Sequence, residues 1–270
     1  MNLFKRIRKN SNRNKKYKLL KTDILTVPGG SSGIIILHRI KALKDFGNVK
    51  KGDLGGYIGS DKNLSHEGKC WVHDNAKVYD NAHIGENAEV FDNVVVNERA
   101  HLYDNASAYN NAWIHGSCDI YGNASINDDS EVLGGVNMSD NADLFGSCKI
   151  GGFATIYGDS IIDGNAEIYG GRIYNTKIGN DALIIEDKDY ISIKNFNWNC
   201  NEFTFYRCKD DQIRVIPDYS DDVFTLDEFK EYLREEYSDY QEELKCCMAF
   251  VDAVEMSFKN REVGEDEQED

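Results

Sequence analysis

From Cys70 the chain repeats every six residues, seventeen times without an insertion, from CWVHDN, AKVYDN, AHIGEN and AEVFDN to a last block AEIYGG. A short period held this long obliges one structural unit to stack on copies of itself. Position 1 is small in every block (Ala, Cys, Ser or Val), and position 3 is apolar in every block, from Val72 through Ile120 to Ile168. Residues two apart share one side of an extended strand while the residue between them faces out, so each block reads as a short strand followed by a corner. Position 6 holds nine Asn, two Asp and two Gly, types that tolerate left-handed backbone, and the reading puts the left-handed corner residue there. A helix is excluded because six is a multiple of neither 3.5 nor 3.6 and the Asn and Gly density would destabilise it. Three strands and three corners close a triangular coil, so each coil takes three blocks. Stacking at ~4.8 Å gives about six and a half coils and a prism on the order of 30 Å long. After Gly171 the phase slips by four residues before Thr176-Lys177-Ile178 and Ala182-Leu183-Ile184 resume it, which predicts a bulge or small loop.

The aliphatic residue followed four positions later by a small one resembles the hexapeptide-repeat left-handed β-helix, best known from acyltransferases, and the left hand is an expectation taken from that resemblance. Handedness rules for parallel crossovers alone favour the right hand. Residues 37 to 75 are similar to the opening segment of YdcK-type hexapeptide proteins of bacteria and phage, through Arg39, Ile40, Ala42, Asp45, Phe46, Val49-Lys50, Gly55-Gly56, Leu64-Ser65, Gly68 and Cys70-Trp71. With the repeats, the resemblance spans roughly residues 17 to 190. It implies a fold and a transferase label that itself rests on fold.

The expected architecture is an all-β solenoid, a single-stranded left-handed parallel β-helix with an N-terminal β cap and a small C-terminal α+β module. Residues 1–16 hold too little apolar content for a core and form a basic arm, expected to be mobile. Residues 17–69 form the cap, with strands at Tyr17–Leu25 and Ile34–Ile40 around a Pro-Gly-Gly-Ser-Ser-Gly turn covering the first coil's open edge. The β-helix occupies 70–195, its regular part ending near 185. Residues 196–260 form the module: a hairpin of Phe203–Cys208 and Gln212–Ile216, a capping box at Thr225–Glu228, and a helix over about 240–259 with Leu244, Cys247, Met248, Val251, Val254 and Phe258 on one face. That stripe is expected to cover the last coil at Ile168, Ile178 and Ile184. The module is similar to one found on phage and prophage repeat proteins, and residues 261–270 read as an acidic disordered tail.

Charge is strongly polarised along the chain. Residues 1–62 carry 15 Lys and Arg against 4 Asp and Glu, residues 63–185 carry 6 against 18, and residues 186–270 carry 10 against 25. The acidic majority repels nucleic acid, whereas the basic arm is suited to weak, non-specific contact with anions. The start of the chain lacks the 7 to 15 residue apolar stretch of a signal peptide and has no membrane-spanning run. Seven cysteines without a CxxC pair read as reduced, buried thiols, and the expected location is the cytoplasm.

Folding the sequence on coils of three blocks stacks His83, His101, Asp119, Asn137 and Thr155 on one outward ladder. Two imidazoles one coil apart plus a carboxylate are the candidate metal ligands, although a solvated polar ladder is the plainer reading. His73 and His115, at fourth positions near corners, are the candidate catalytic bases if the chain is an acyltransferase, with acetyl-CoA or another acyl-CoA as its cosubstrate. The solenoid has no Pro and no long loop, so the leading expectation has neither catalytic residue, metal nor cofactor. Fourth-position aromatics (Tyr79, Phe91, Tyr103, Tyr109, Tyr121, Phe145, Tyr157, Tyr169) fall on all three faces and read as packing between coils, and Lys149 between Glu131 and Glu167 as an exposed ion-pair row. No phosphate-binding glycine loop, GxSxG or HExxH pattern occurs. The leading functional expectation is a non-enzymatic rigid scaffold that binds a protein through its solenoid faces or C-terminal module, with a phage host-interaction role implied by the resemblance and a homotrimer as one assembly. An acyltransferase and a polyanionic mimic of nucleic acid are the alternatives.

Overall fold

A computed structural model describes residues 15–29, 33–194, 202–217 and 222–263, with side chains described to residue 259. The repeat folds as a parallel β-solenoid with three faces, formed by sheets of ten, seven and six strands, the ten-stranded sheet including the N-terminal hairpin. Within the regular part each short strand pairs with the strand three blocks later, as in Trp113 with Glu131, Ser107 with Ser125 and Asp119 with Asn137. Every position-1 and position-3 side chain from Cys70 to Ile168 is buried in one continuous core. Two buried columns per face, one of small and one of larger apolar side chains, supply the stabilisation, and the interstrand hydrogen bonds run along the prism.

The left-handed corner residue is position 5, not position 6. All sixteen fifth positions from Asp74 to Gly164 have positive φ, nine of them Asp, Glu or Asn and the rest Gly. The carboxylates there have a use that a count of residue types cannot reveal. Asp92 accepts from the backbone N–H of Asn110 at 3.0 Å, Glu98 from Gly116 at 2.9 Å and Asp104 from Gly122 at 3.1 Å, each one coil on. Position 6 favours Asn for a different reason: the amides of Asn87, Asn105, Asn123 and Asn141 donate in succession to the next coil, ending on Asp159. Each corner edge is therefore a hydrogen-bonded ladder.

The slip after Gly171 is a shortening of the coil, not a bulge or loop. Arg172–Tyr174 pairs with Thr155–Tyr157 at an offset one residue short of three blocks, and Lys177 pairs with Ile161 at an offset two residues short, so two successive corners each lose one residue.

The first coil starts before Cys70. Leu54–Ile58 pairs in parallel with Lys77–Val78, and Leu64 bridges to Ile84, so these segments and Trp71–Val72 supply its three sides. The antiparallel hairpin of Tyr17–Gly29 and Gly33–Ala42 continues the ten-stranded sheet past this coil, and Tyr17, Ile40, Ala42 and Val49 close the end of the core. Of the expected basic arm, residues 1–14 lie outside the described residues. Lys15 pairs with Asp61 at 2.6 Å, and Lys16 is buried rather than part of an arm.

At the other end a four-stranded antiparallel sheet is built from Tyr190–Ile193, Phe203–Arg207, Ile213–Pro217 and Phe224–Thr225, so the strand at 190 belongs to the module. One side of this sheet caps the solenoid: Tyr206, Cys208 and Ile216 join the solenoid core, Ala182 bridges to Cys208, and Lys209 N donates to Asp181 O at 2.9 Å. The other side carries Phe203, Phe205 and Val215, against which the helices pack. Helix α1 (Leu226–Glu236) starts at the expected capping box, with Thr225 Oγ1 accepting from Glu228 N and Glu228 accepting from Thr225 N. Helix α2 (Gln241–Val263) buries Cys247, Val251, Val254 and Phe258 against this second core, with Leu244 and Met248 partly buried there. The helix stripe thus does not face the last coil, because the hairpin's solenoid-facing side already occupies that position. Residues 261–263, expected in the disordered tail, belong to α2, and the rest of that tail, 264–270, together with Cys200, lies outside the described residues.

Candidate functional site

The outward side of the ten-stranded sheet gathers the most varied chemistry. Its ladder runs Lys77, Val95, Trp113, Glu131, Lys149, Glu167 and Leu183. Trp113 is 45% exposed, its indole Nε1 donates to Asn97 Oδ1 at 3.0 Å, and its ring lies 4.2 Å from that of His115 in a stacked arrangement. His115 Nε2 sits 2.9 Å from Glu131 Oε1, and Lys149 Nζ lies 3.2 Å from the other oxygen. Burial alone would raise the Glu131 carboxyl, but the hydrogen bonds from His115 and Lys149 outweigh it and hold Glu131 below its ordinary range. A carboxylate only accepts, so Nε2 of His115 carries the proton in this pair. Further along, Glu167 is held low by Lys209 at 2.8 Å and by the Tyr169 hydroxyl, which donates to it at 2.8 Å. The expected ion-pair row is therefore real but asymmetric: Lys149 bonds Glu131, and Glu167 turns to a lysine of the C-terminal module.

Large apolar groups stand beside these charges, Phe153 at the corner that follows Lys149–Ile150. Phe153 is 86% exposed and Ile185 55% exposed, while Leu133 and Tyr169 are half-buried on either side of Gly151. Trp113 stands in an outward second position, where residue type varies freely from block to block. Phe153 did leave a signal, standing in a sixth position where Asn is usual.

The three histidine groups singled out from the sequence lie on three different faces and do not converge. His73 follows a strand of the seven-stranded sheet, with Nε2 3.1 Å from Glu89 Oε1 and its ring stacked on Phe91, which stacks on Tyr109. His83 and His101 pair across adjacent strands of the six-stranded sheet. There His83 Nδ1 contacts the Lys62 carbonyl at 2.7 Å and His101 Nδ1 lies 3.3 Å from Asp119 Oδ1. Asn137 and Thr155 continue that ladder, which ends at Arg172. Among the described residues, no group of three or more His, Cys, Asp or Glu side chains is placed to hold a metal ion. The fourth-position aromatics stack coil on coil, Phe91 on Tyr109 and Tyr103 on Tyr121 with near-parallel rings, which is the packing role the periodicity implied.

Cys70, Cys118, Cys148, Cys208 and Cys247 are buried free thiols as expected, whereas Cys246, on α2 beside the buried Cys247, is exposed. Burial pushes the Cys118 thiol up to about 11 and Cys148 up to about 12, so both are held protonated. No described helix is long and apolar enough to cross a membrane. No protein-family model matches the chain, and no curated protein matches it.

Proposed function

We propose that the chain is a rigid, non-enzymatic scaffold that binds a protein through the face bearing Trp113, Leu133 and Ile185 and the adjoining corner at Phe153. The exposure of Trp113 and Phe153 carries this reading. Large aromatic side chains held on a backbone locked from coil to coil lose little freedom on docking, and such anchors supply most of the energy of protein interfaces. The surrounding charge sets the partner's chemistry. A solenoid with 18 acidic against 6 basic residues between 63 and 185 favours a partner whose apolar centre has a basic rim. His115 is engaged by Glu131 and covered on one side by Trp113, an arrangement that holds the indole upright.

The test is affinity capture from the source cell with the wild-type protein and with Trp113→Ser/Phe153→Ser, whose exposed positions leave the fold intact. A specific protein retained by the wild type and lost with the double variant is the expected result. Equal capture by both would move the binding surface off this face. Turnover of an acyl-CoA that disappears with His115→Ala would replace the scaffold with the acyltransferase reading.

A further inference from the structure

The seam between the N-terminal cap and the first coil holds an amine and a thiol in direct contact. Lys16 is 1% exposed and Cys70 fully buried. Nζ of Lys16 lies 3.1 Å from Cys70 Sγ, 2.8 Å from Cys70 O and 3.2 Å from Glu67 O, with the ring of Phe46 5.0 Å away. Burial pushes the Lys16 ammonium down and the Cys70 thiol up, each toward its neutral form. Nζ donates to both carbonyls and to Sγ, which also faces Ser65 O and Glu67 O at 3.6 Å each. Cys118 and Cys148 occupy the same first position of the repeat and are equally enclosed, but their sulfurs meet only backbone carbonyls, His115 O at 3.0 Å and Phe145 O at 3.2 Å.

We propose that Lys16 and Cys70 form a reversible sulfenamide cross-link when the protein is exposed to hydrogen peroxide. The thiol proton passes to Nζ, the thiolate sulfur attacks one oxygen of peroxide to give Cys70 S–OH, and the released hydroxide takes a proton from the ammonium as water, leaving the neutral amine. Nζ then attacks Sγ, the S–O bond breaks, and the departing hydroxide takes the amine proton as a second water, leaving an S–N bond. Two equivalents of an external thiol reverse the step, restoring thiol and amine and leaving an external disulfide. Access would run through the corner Glu67-Gly68-Lys69, which is exposed and immediately precedes Cys70. The bond would tie the cap to the first coil, closing a long loop as a disulfide does.

The experiment treats the full chain with hydrogen peroxide and maps it by tryptic mass spectrometry, in a Cys246→Ser background that suppresses intermolecular disulfides. The expected product is lighter than the reduced chain by two hydrogen atoms, resists trypsin after Lys16, and joins the Lys16 and Cys70 peptides. Dithiothreitol should reverse it, and the Tm should rise by several degrees while it lasts. Lys16→Met and Cys70→Ala should each abolish it; the latter is compatible with the fold because Ala fills most first positions. Oxygen adducts on Cys70 without a cross-link, or a Cys70 no more reactive than Cys118 and Cys148, would overturn the proposal.

Discussion

Substituting Asp104 separates the two contributions that make a solenoid corner. Its φ is +54°, its Oδ2 accepts from Gly122 N at 3.1 Å, and its own N–H donates to Glu86 Oε2 at 3.1 Å. Asp104→Gly removes the carboxylate but frees the backbone from any side-chain penalty. Asp104→Ala removes the carboxylate and puts a Cβ into left-handed backbone with no local hydrogen bond to compensate. A charge-assisted hydrogen bond contributes about 1.5–3 kcal/mol when fully enclosed. Gly122 is only half-buried, so water recovers part of this and about 1 kcal/mol is the fitting value. The left-handed conformation costs a non-glycine residue about 1–2 kcal/mol. Asp104→Gly should therefore destabilise by about 1 kcal/mol or less and Asp104→Ala by about 2–3 kcal/mol. Urea unfolding followed by circular dichroism gives the ranking, and hydrogen exchange at the Gly122 amide locates it: protection there should fall in both variants. Equal losses for Gly and Ala would show that the left-handed backbone carries no penalty here. Unchanged protection at Gly122 would remove the carboxylate ladder from the account.

The core frame predicts that Ile120→Asp costs more than about 4 kcal/mol and drives aggregation, while Asp119→Ala next to it is nearly silent; similar losses from both, measured by thermal unfolding, would show the frame to be wrong. At the C-terminal end, Tyr206→Ala should cost about 3–5 kcal/mol and expose the last coil, whereas Met248→Ala should loosen only the helical module. Hydrogen exchange at Ile168 and Ile184 distinguishes these two, since protection there should fall only in the first. In the charged row, His115→Gln should raise the Glu131 titration seen by carboxyl NMR. Because Glu131 is held low in the folded state, its contribution to stability is present above its unfolded pKa and is lost as pH falls through the folded value. An unshifted Glu131 would show that the His115 bond does not hold it.

The coil was legible because its core repeats one choice. A small residue at position 1 and an aliphatic one at position 3 recur wherever a side chain must fit the interior, so seventeen noisy samples of the same constraint identify the inward positions. The corner was misread by one residue for a physical reason. Asn dominates position 6, and Asn is a frequent left-handed residue, but here its amide is used to bond the next coil, as Asn105 does with Asn123. The left-handed duty falls on Asp, Glu and Gly at position 5, where a carboxylate reaches a backbone N–H one full coil away. That bond is non-local, and composition at one site does not display it. The shortened corners at Gly170-Gly171 and Asn175 went unread for a related reason: a deletion of one residue followed by another mimics a single slip.

The cap and the outer face required knowledge that the chain's local pattern does not contain. The stripe on α2 was correctly identified as buried, yet an amphipathic helix announces only that it needs a partner, not which one. Strand Phe203–Arg207 is almost wholly buried, a sign that both of its sides are covered, and that pattern is what places it between helices and solenoid. Tyr206 faces the last coil while Phe205 faces α1 and α2, so the alternation of one strand decides the order of layers. Outward residues escape such logic altogether. Trp113, His115 and Glu131 come together because they lie on adjacent coils of one face; the sequence points to the histidine and, through the ion-pair row, to Glu131, but not to the indole between them. A solenoid holds its interior to a rule and leaves its exterior free, so departures from the usual outward residue are the places to look for function. Phe153 in an Asn position and Trp113 on a mostly charged ladder are two such departures, the first at the corner that follows a strand of the sheet bearing the second.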